Sequence, residues 1–418
     1  MSEDRRSIEV FADWVGLDGP TRLGTLLAHE TQGKELFSFE YDDDWLARHD
    51  ERVLDPELRL FRGAQYAGLE KPNFGLFLDS TPDRWGRVLM RRREAIHARK
   101  EGRAPRRLGE ADYLLGVYDL NRLGALRFKE RGGESFQSSD SAMAAPPWSK
   151  LRDLEYASFL AEREDDDEKL DPWLAMLMAP GSSLGGARPK ASVLDERGDL
   201  WIAKFPGKSD IRDVGAWELL AADIAGDAAV SMSVCRRASF STRGTTFLTK
   251  RFDRHGERRV HFASAMTLLG HKDGDDVASG ASYLELAEFI MRFGSRPEED
   301  LAQLWRRIVF SIAISNTDDH LRNHGFLMED RGWRLSPAYD LNPDPESRGL
   351  SLAIDEYDNS LDFDLALSAA KYFRLSMQDA REILTSITTA VSSWRKRARA
   401  LGLSAYEIES MAAAFRPR

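Results

Sequence analysis

The segment SNTDDHLRNHGF, from Ser315 to Phe326, sets two acids, two histidines, an arginine and two amides within one short run. Phosphoryl transfer asks for such groups: a carboxylate that orients or deprotonates the acceptor hydroxyl, then an amide and a second carboxylate that hold magnesium against the transferred phosphoryl group. Asp318 and Asn323 have the Asp-x4-Asn spacing of a protein-kinase catalytic loop, although the HRD signature that precedes it there is absent. Asp340 follows two short strand candidates, GFLM and WRLS. The pattern predicts Asp318 as the catalytic hydroxyl acceptor, and Asn323 and Asp340 as magnesium ligands. His320 and His324 also suggest a zinc hydrolase, but HLRNH lacks the glutamate of HExxH, and Gly325 directly after His324 argues against a continuing helix. On its own an Asp-x4-Asn spacing is more often a solvated loop than a catalytic one, so the upstream residues must decide.

They favour phosphate chemistry. APGSSLGGARPKASVLD brings Gly181, Gly185 and Gly186 before a strand candidate, where backbone amides can approach phosphates. Ala187 stands where a Walker A motif needs lysine, and alone the segment reads as well as a flexible turn. Lys204, inside the strand-like DLWIAKFP, can bridge ATP phosphates, and Glu218 in the helix-like VGAWELLAADIAG can anchor it as an ion pair, although exposed helix glutamates are common. In TTFLTKRFDRHG the backbone from Lys250 to Phe252 can meet the adenine edge, with Phe252 enclosing the ring; bulk packing explains Phe252 equally well.

These groups need elements to position them. Leu301, Leu304, Trp305, Ile308, Val309 and Ile312 recur at helical spacing and predict a core helix whose C-terminal end delivers the 315–326 segment. Residues 1–128 mix strand candidates such as SIEVFADWVG and LGALRF with the helix-like WGRVLMRRREAIHARK, and ERGGESFQSSDSAMAAPPWSK reads as a linker or surface loop. Helix-like runs dominate from about residue 283 onward. The expected class is α+β: a two-lobed protein-kinase-like fold with an N-terminal α/β module over 1–128, a small mixed lobe with the phosphate loop over 148–253, and a mainly helical lobe with the catalytic loop over 254–418.

The 418 residues are 42% hydrophobic and 31% charged, the balance of a soluble globular chain. No apolar run is long enough to span a bilayer, and MSEDRRSIEV lacks the apolar segment of a secretory signal. A single cysteine, Cys235, excludes an intrachain disulfide framework, so the expected location is cytoplasmic. The net charge of −10 supplies no global attraction for nucleic acid. The basic run from Arg91 to Arg107 lacks an aromatic platform and reads as a solvated helix and loop.

Taken together, the chain resembles the HipA family of bacterial serine/threonine kinases. The resemblance rests on DSTPDRWGRVLM, GVYDLNRLGALRF, SSLGGARPKASV, IAKFP, TKRFDR, NTDDHLRNHGF and LSPAYDLNP, and so covers nearly the whole chain. It implies Asp318 as catalytic aspartate, Asn323 and Asp340 on Mg2+, Lys204 on ATP, and His320 as an organiser of the catalytic loop. It also implies an autophosphorylated serine in the phosphate loop, with Ser183 the aligned residue and Ser182 adjacent. Added negative charge there would work against a loop built for ATP phosphates. Two positions depart from the pattern: Lys250 stands where many relatives are acidic, and Ala263 and Ser264 replace an acidic pair. The resemblance further implies a toxin paired with a small helix-turn-helix antitoxin, DNA association only through that partner, and protein substrates such as an aminoacyl-tRNA synthetase. The competing readings are a small-molecule phosphotransferase and a catalytically silent module that binds nucleotide or antitoxin.

Overall fold

The computed structural model describes residues 5–31, 33–48, 52–163, 171–177, 186 and 188–416. Its contacts divide the chain into two compact units, one of Met1–Ala203 with Asp253–Ala263, the other of Lys204–Phe252 with Ser264–Arg418.

The first unit is built on a five-stranded antiparallel sheet, in which Gln65–Tyr66, Lys34–Tyr41, Thr21–Thr31, Arg5–Ala12 and Leu126–Glu130 lie side by side in that order. Alternation dictates its buried face: Ile8, Val10 and Ala12 point inward along one strand, Phe37, Phe39 and Tyr41 along another. The basic helix Arg84–Lys100 is N-capped by Asp83, whose Oδ1 accepts from the Gly86 amide at 2.8 Å. Part of its positive charge is spent internally, because Arg87 pairs with Glu110 and Arg93 with Asp140, and its Glu94 takes Arg103 from just beyond the helix.

Two motifs of the sequence have a structural use within this unit. The buried Arg122 of DLNRLG donates to the carbonyls of Ser80, Leu114, Val117 and Gln137 at 2.8–3.0 Å, and burial pulls its pKa down to about 9. Asp253 and Arg254 of TKRFDR bind the turn just after it: the Gly124 amide donates to Asp253 Oδ2 at 2.8 Å, and Arg254 donates to the Gly124 carbonyl at 3.0 Å. Gly124 takes φ +71, and a side chain there would press on the Phe262 backbone at 3.0 Å, so this turn requires glycine.

In the second unit the helix Val214–Asp227 lies against the antiparallel hairpin Cys235–Ser241 and Gly244–Lys250. The close approach is made at Gly215, where any Cβ would collide with the Thr245 carbonyl. Asp213 caps the helix and also accepts from the Thr245 amide at 2.9 Å, tying the two elements at their ends. The helix Pro297–Ile314 starts with proline in its first turn followed by Glu298, Glu299 and Asp300, a sequence matched to the positive end of the helix dipole. All six positions expected from the helical spacing, Leu301 to Ile312, are fully buried. The helix stops at Ser315, which takes φ +51, and the Asn316 amide turns back to the Ser311 carbonyl at 2.8 Å. Strands Gly325–Glu329 and Gly332–Leu335 then pair antiparallel, with Phe326 opposite Leu335, as GFLM and WRLS suggested. Ser264, one of the two departures from the family pattern, caps the short helix Ala265–Leu268 by accepting from the Thr267 amide at 3.2 Å.

Candidate active site

Lys204 ends the strand Leu200–Lys204 and is almost completely buried. Its Nζ lies 2.5 Å from Glu218 Oε1 and 2.6 Å from Asp340 Oδ1. Burial works against the ammonium, but the two carboxylates outweigh it and hold the pKa above the ordinary lysine value. Glu218 is equally buried, so the ion pair expected from sequence forms away from solvent rather than on an exposed helix face. Asp340 adopts φ +60, a left-handed conformation uncommon for a residue with a side chain.

The loop after the core helix sorts its side chains by direction. Asp318 is exposed at 86% of its side chain, where an acceptor hydroxyl can reach it. Its neighbour Asp319 is buried and accepts from Tyr283 Oη at 2.6 Å and Ser311 Oγ at 3.2 Å. His324 Nε2 lies 3.1 Å from Asp319 Oδ1, and its ring meets Tyr283 edge-on. Burial raises the Asp319 pKa, but His324, Tyr283 and Ser311 together bring it below the ordinary aspartate value. Asp319 and His324, which sequence reasoning left without a role, thus carry the buried polar contacts of this loop. The available signal was the Asp318–Asp319 pair itself, since adjacent residues of an extended chain face opposite sides. His320, implied as an organiser by resemblance, places Nε2 3.9 Å from Asp318 Oδ1.

Asn323 is buried, and its Nδ2 donates to the Asp318 carbonyl at 2.7 Å. Its Oδ1 is buried with no hydrogen-bond partner. Such an orphaned oxygen fits a hard cation, and magnesium is commonly held by one or two protein groups together with substrate phosphates. Among the described residues no cluster of three or more His, Cys, Asp or Glu could hold a metal, so any cation here would rely on this mixed amide and carboxylate set.

The remaining expected site residues are placed as follows. The Phe252 ring packs against that of Tyr339, the neighbour of Asp340, with centroids 5.8 Å apart and planes tilted by 35°. The Lys250 amide donates to the Val234 carbonyl at 2.9 Å and is committed to that contact. Gly186 lies in the first unit with φ +74, its carbonyl accepting from Lys190 Nζ at 3.3 Å. Ser183 and Gly185 lie outside the described residues.

Residues 182–394 match the model of the HipA-like C-terminal domain, just over half of the chain. The chain belongs to the HipA-like family. Its fold is the mixed α/β, kinase-like fold of HipA from Shewanella oneidensis, solved in complex with HipB and its operator DNA; the two align with a TM-score of 0.63 at 17% identity over 97% of this chain and 94% of that one. Among curated relatives, the Sinorhizobium fredii protein named "Putative kinase Y4mE" is 28% identical over 148 residues, 34% of this chain and 33% of that protein. "Putative kinase Y4dM" of the same organism is 35% identical over 99 residues, 23% of this chain and 24% of that protein. The chain therefore spans a third or less of the length of these curated relatives.

Proposed function

We propose that this HipA-like chain catalyses ATP-dependent, magnesium-assisted phosphoryl transfer to serine or threonine of a cytoplasmic protein, acting as a growth-inhibiting toxin. The observation that carries the reading is Lys204 held in a buried bridge between Glu218 and Asp340. A lysine kept charged beside a carboxylate of a phosphate site is the arrangement a kinase uses to receive nucleotide phosphates. In this reading Asp318 orients the acceptor hydroxyl, Asn323 and Asp340 hold Mg2+, and His320 supports the loop. Bound magnesium would neutralise charge on the transferred phosphoryl group. Lys204 would exchange part of its pairing with Asp340 for the ATP phosphates, while Glu218 keeps the ammonium in place. Phe252 would border the nucleotide, and the loop containing Ser183, Gly185 and Gly186 would cover the phosphates.

HipA of Shewanella oneidensis was solved with HipB and operator DNA, which supports a small helix-turn-helix antitoxin as partner here, with DNA reached through it. An aminoacyl-tRNA synthetase is one substrate class for the assay. Self-phosphorylation at Ser183 would add negative charge to the phosphate loop and oppose ATP. We likewise propose 1–128, 148–253 and 254–418 as the functional modules.

The test is transfer of labelled phosphate from ATP into a native cytoplasmic lysate, with wild type compared to Asp318→Ala and the labelled species identified. Labelled protein in the wild-type reaction, reduced at least about a hundredfold in the variant, is expected for loss of a catalytic acid–base group. Transfer that survives Asp318→Ala defeats the assignment. Label appearing only in small molecules moves the chain to the metabolite phosphotransferases, and no transfer at all favours the silent binding module.

A further inference from the structure

Asn323 is not alone in hiding an amide oxygen from every partner. Asn342 Oδ1 is also buried without a hydrogen bond, although the rest of that side chain and its backbone are firmly held. The Asn342 amide N–H donates to Asn316 Oδ1 at 2.9 Å, and its Nδ2 donates to Asp340 Oδ1 at 3.1 Å. This second bond decides which end of the amide is oxygen, because the reversed amide would set oxygen against a carboxylate. A buried oxygen without a partner is destabilising, and one fixed in place has no means of turning to water.

The two segments that carry these oxygens are joined by two hydrogen bonds. At one end Asn316 receives the Asn342 amide; at the other Tyr339 Oη donates to the Arg322 carbonyl at 2.7 Å, next to Asn323. Asp340 lies between the two stitches on its own segment. Each segment thus presents an orphaned amide oxygen, and the carboxylate comes with one of them. A set made only of oxygens, two neutral and one charged, is the chemistry of a hard divalent cation.

We infer that Asn342 is a third protein ligand for the divalent cation, acting with Asn323 and Asp340. This rests on the kinase reading for what the cation does, but not for whether it binds. The alternative is a positioning role only, in which Asn342 donates to Asp340 and its oxygen contributes nothing. The two roles differ for Asn342→Asp, which keeps an oxygen ligand and removes the donor. A ligand role predicts equal or tighter binding, since the new oxygen is charged; a donor role predicts weakening, since two carboxylates then face each other.

The experiment measures Mn2+ binding to the full chain by electron paramagnetic resonance, with and without a non-hydrolysable ATP analogue. The variants are Asn342→Asp and Asn342→Leu, with thermal unfolding confirming that each is folded. The expected result is at least about a tenfold loss of Mn2+ affinity in Asn342→Leu, with affinity kept or raised in Asn342→Asp. Wild-type affinity in Asn342→Leu, or equal losses in both variants, overturns the inference. Phosphoryl transfer that depends on Asp318 alongside wild-type Mn2+ affinity in Asn342→Leu would leave the kinase reading standing and remove this one. Mn2+ binding that depends on Asn342 without any transfer would do the reverse.

Discussion

Lys204 and its two carboxylates form a three-member charge cluster with little access to water, and each member answers for the others. Replacing the lysine with methionine leaves the buried Glu218 carboxylate facing the half-buried Asp340 carboxylate. Lys204→Met is expected to lower stability by about 3–5 kcal/mol, the cost of breaking a buried ion pair by removing one partner. Urea unfolding measures it, and a loss below about 1 kcal/mol would show that water reaches the carboxylates. Half of this cluster is readable from the sequence, since a lysine in an apolar strand needs a partner and Glu218 is the acid expected to supply it; Asp340 is expected there only on magnesium. The tie of Asn342 to Asp340 was not readable, because an amide two positions beyond an acid has no pattern that tells which groups it will meet. Tyr283 was hidden for a related reason: it reads as a core aromatic at the start of a helix, and only folding brings its hydroxyl to Asp319.

At the scale of elements, the loop of residues 315–326 leans on the segment that follows the helix Ala265–Leu268. Arg322 donates to Asp273 Oδ1 at 3.0 Å, and that segment is clamped by His271, whose Nδ1 and Nε2 each lie 3.0 Å from Asp275 and Glu285. Only the doubly protonated imidazolium donates at both nitrogens. Its bond to Glu285 is the largest influence and raises the His271 pKa, with burial opposing and Asp275 assisting. The sign follows from linkage: a raised folded pKa gives stability that is complete below the unfolded value of about 6.5 and fades as pH rises through the folded value. Wild type should therefore lose stability over that alkaline step, and His271→Gln should show a flatter profile in thermal unfolding across pH. A profile unchanged by the substitution would mean that the clamp does not depend on the proton. The helices around this segment were legible in the sequence because their periodicity is repeated over several turns. The clamp was not, because it joins a loop to a helix start through single side chains.

For the whole molecule, the charge balance of −10 bears on partners more than on fold. The basic run of Arg91 to Arg107, the one stretch that suggested nucleic acid, spends arginines on Glu94, Asp112 and Asp140. The chain alone is expected to show no salt-sensitive DNA binding at about 0.15 M ionic strength, and gel-shift titration with and without a helix-turn-helix partner checks it. A shift by the chain alone would make DNA a direct ligand. Among the described residues no helix is long and apolar enough to cross a membrane. The strands around Ile8 and Leu126 and the helix from Arg84 were each visible in composition and spacing, as was the helical character beyond residue 283. The assignment of Asp253–Ala263 to the first unit was invisible, because it depends on Asp253 and Arg254 finding the Gly124 turn far away in sequence.

The left-handed backbone of Asp340 sets two kinds of selection against each other. Glycine would occupy that conformation at no steric cost, and asparagine tolerates it better than most residues. A lineage released from phosphoryl transfer has a backbone route to either, at the cost of one of the two partners of Lys204. A lineage still using the carboxylate must keep aspartate against the backbone preference for glycine. Glycine or asparagine at this position among relatives would therefore mark chains that have become binding proteins, and would do so without any other sign of decay.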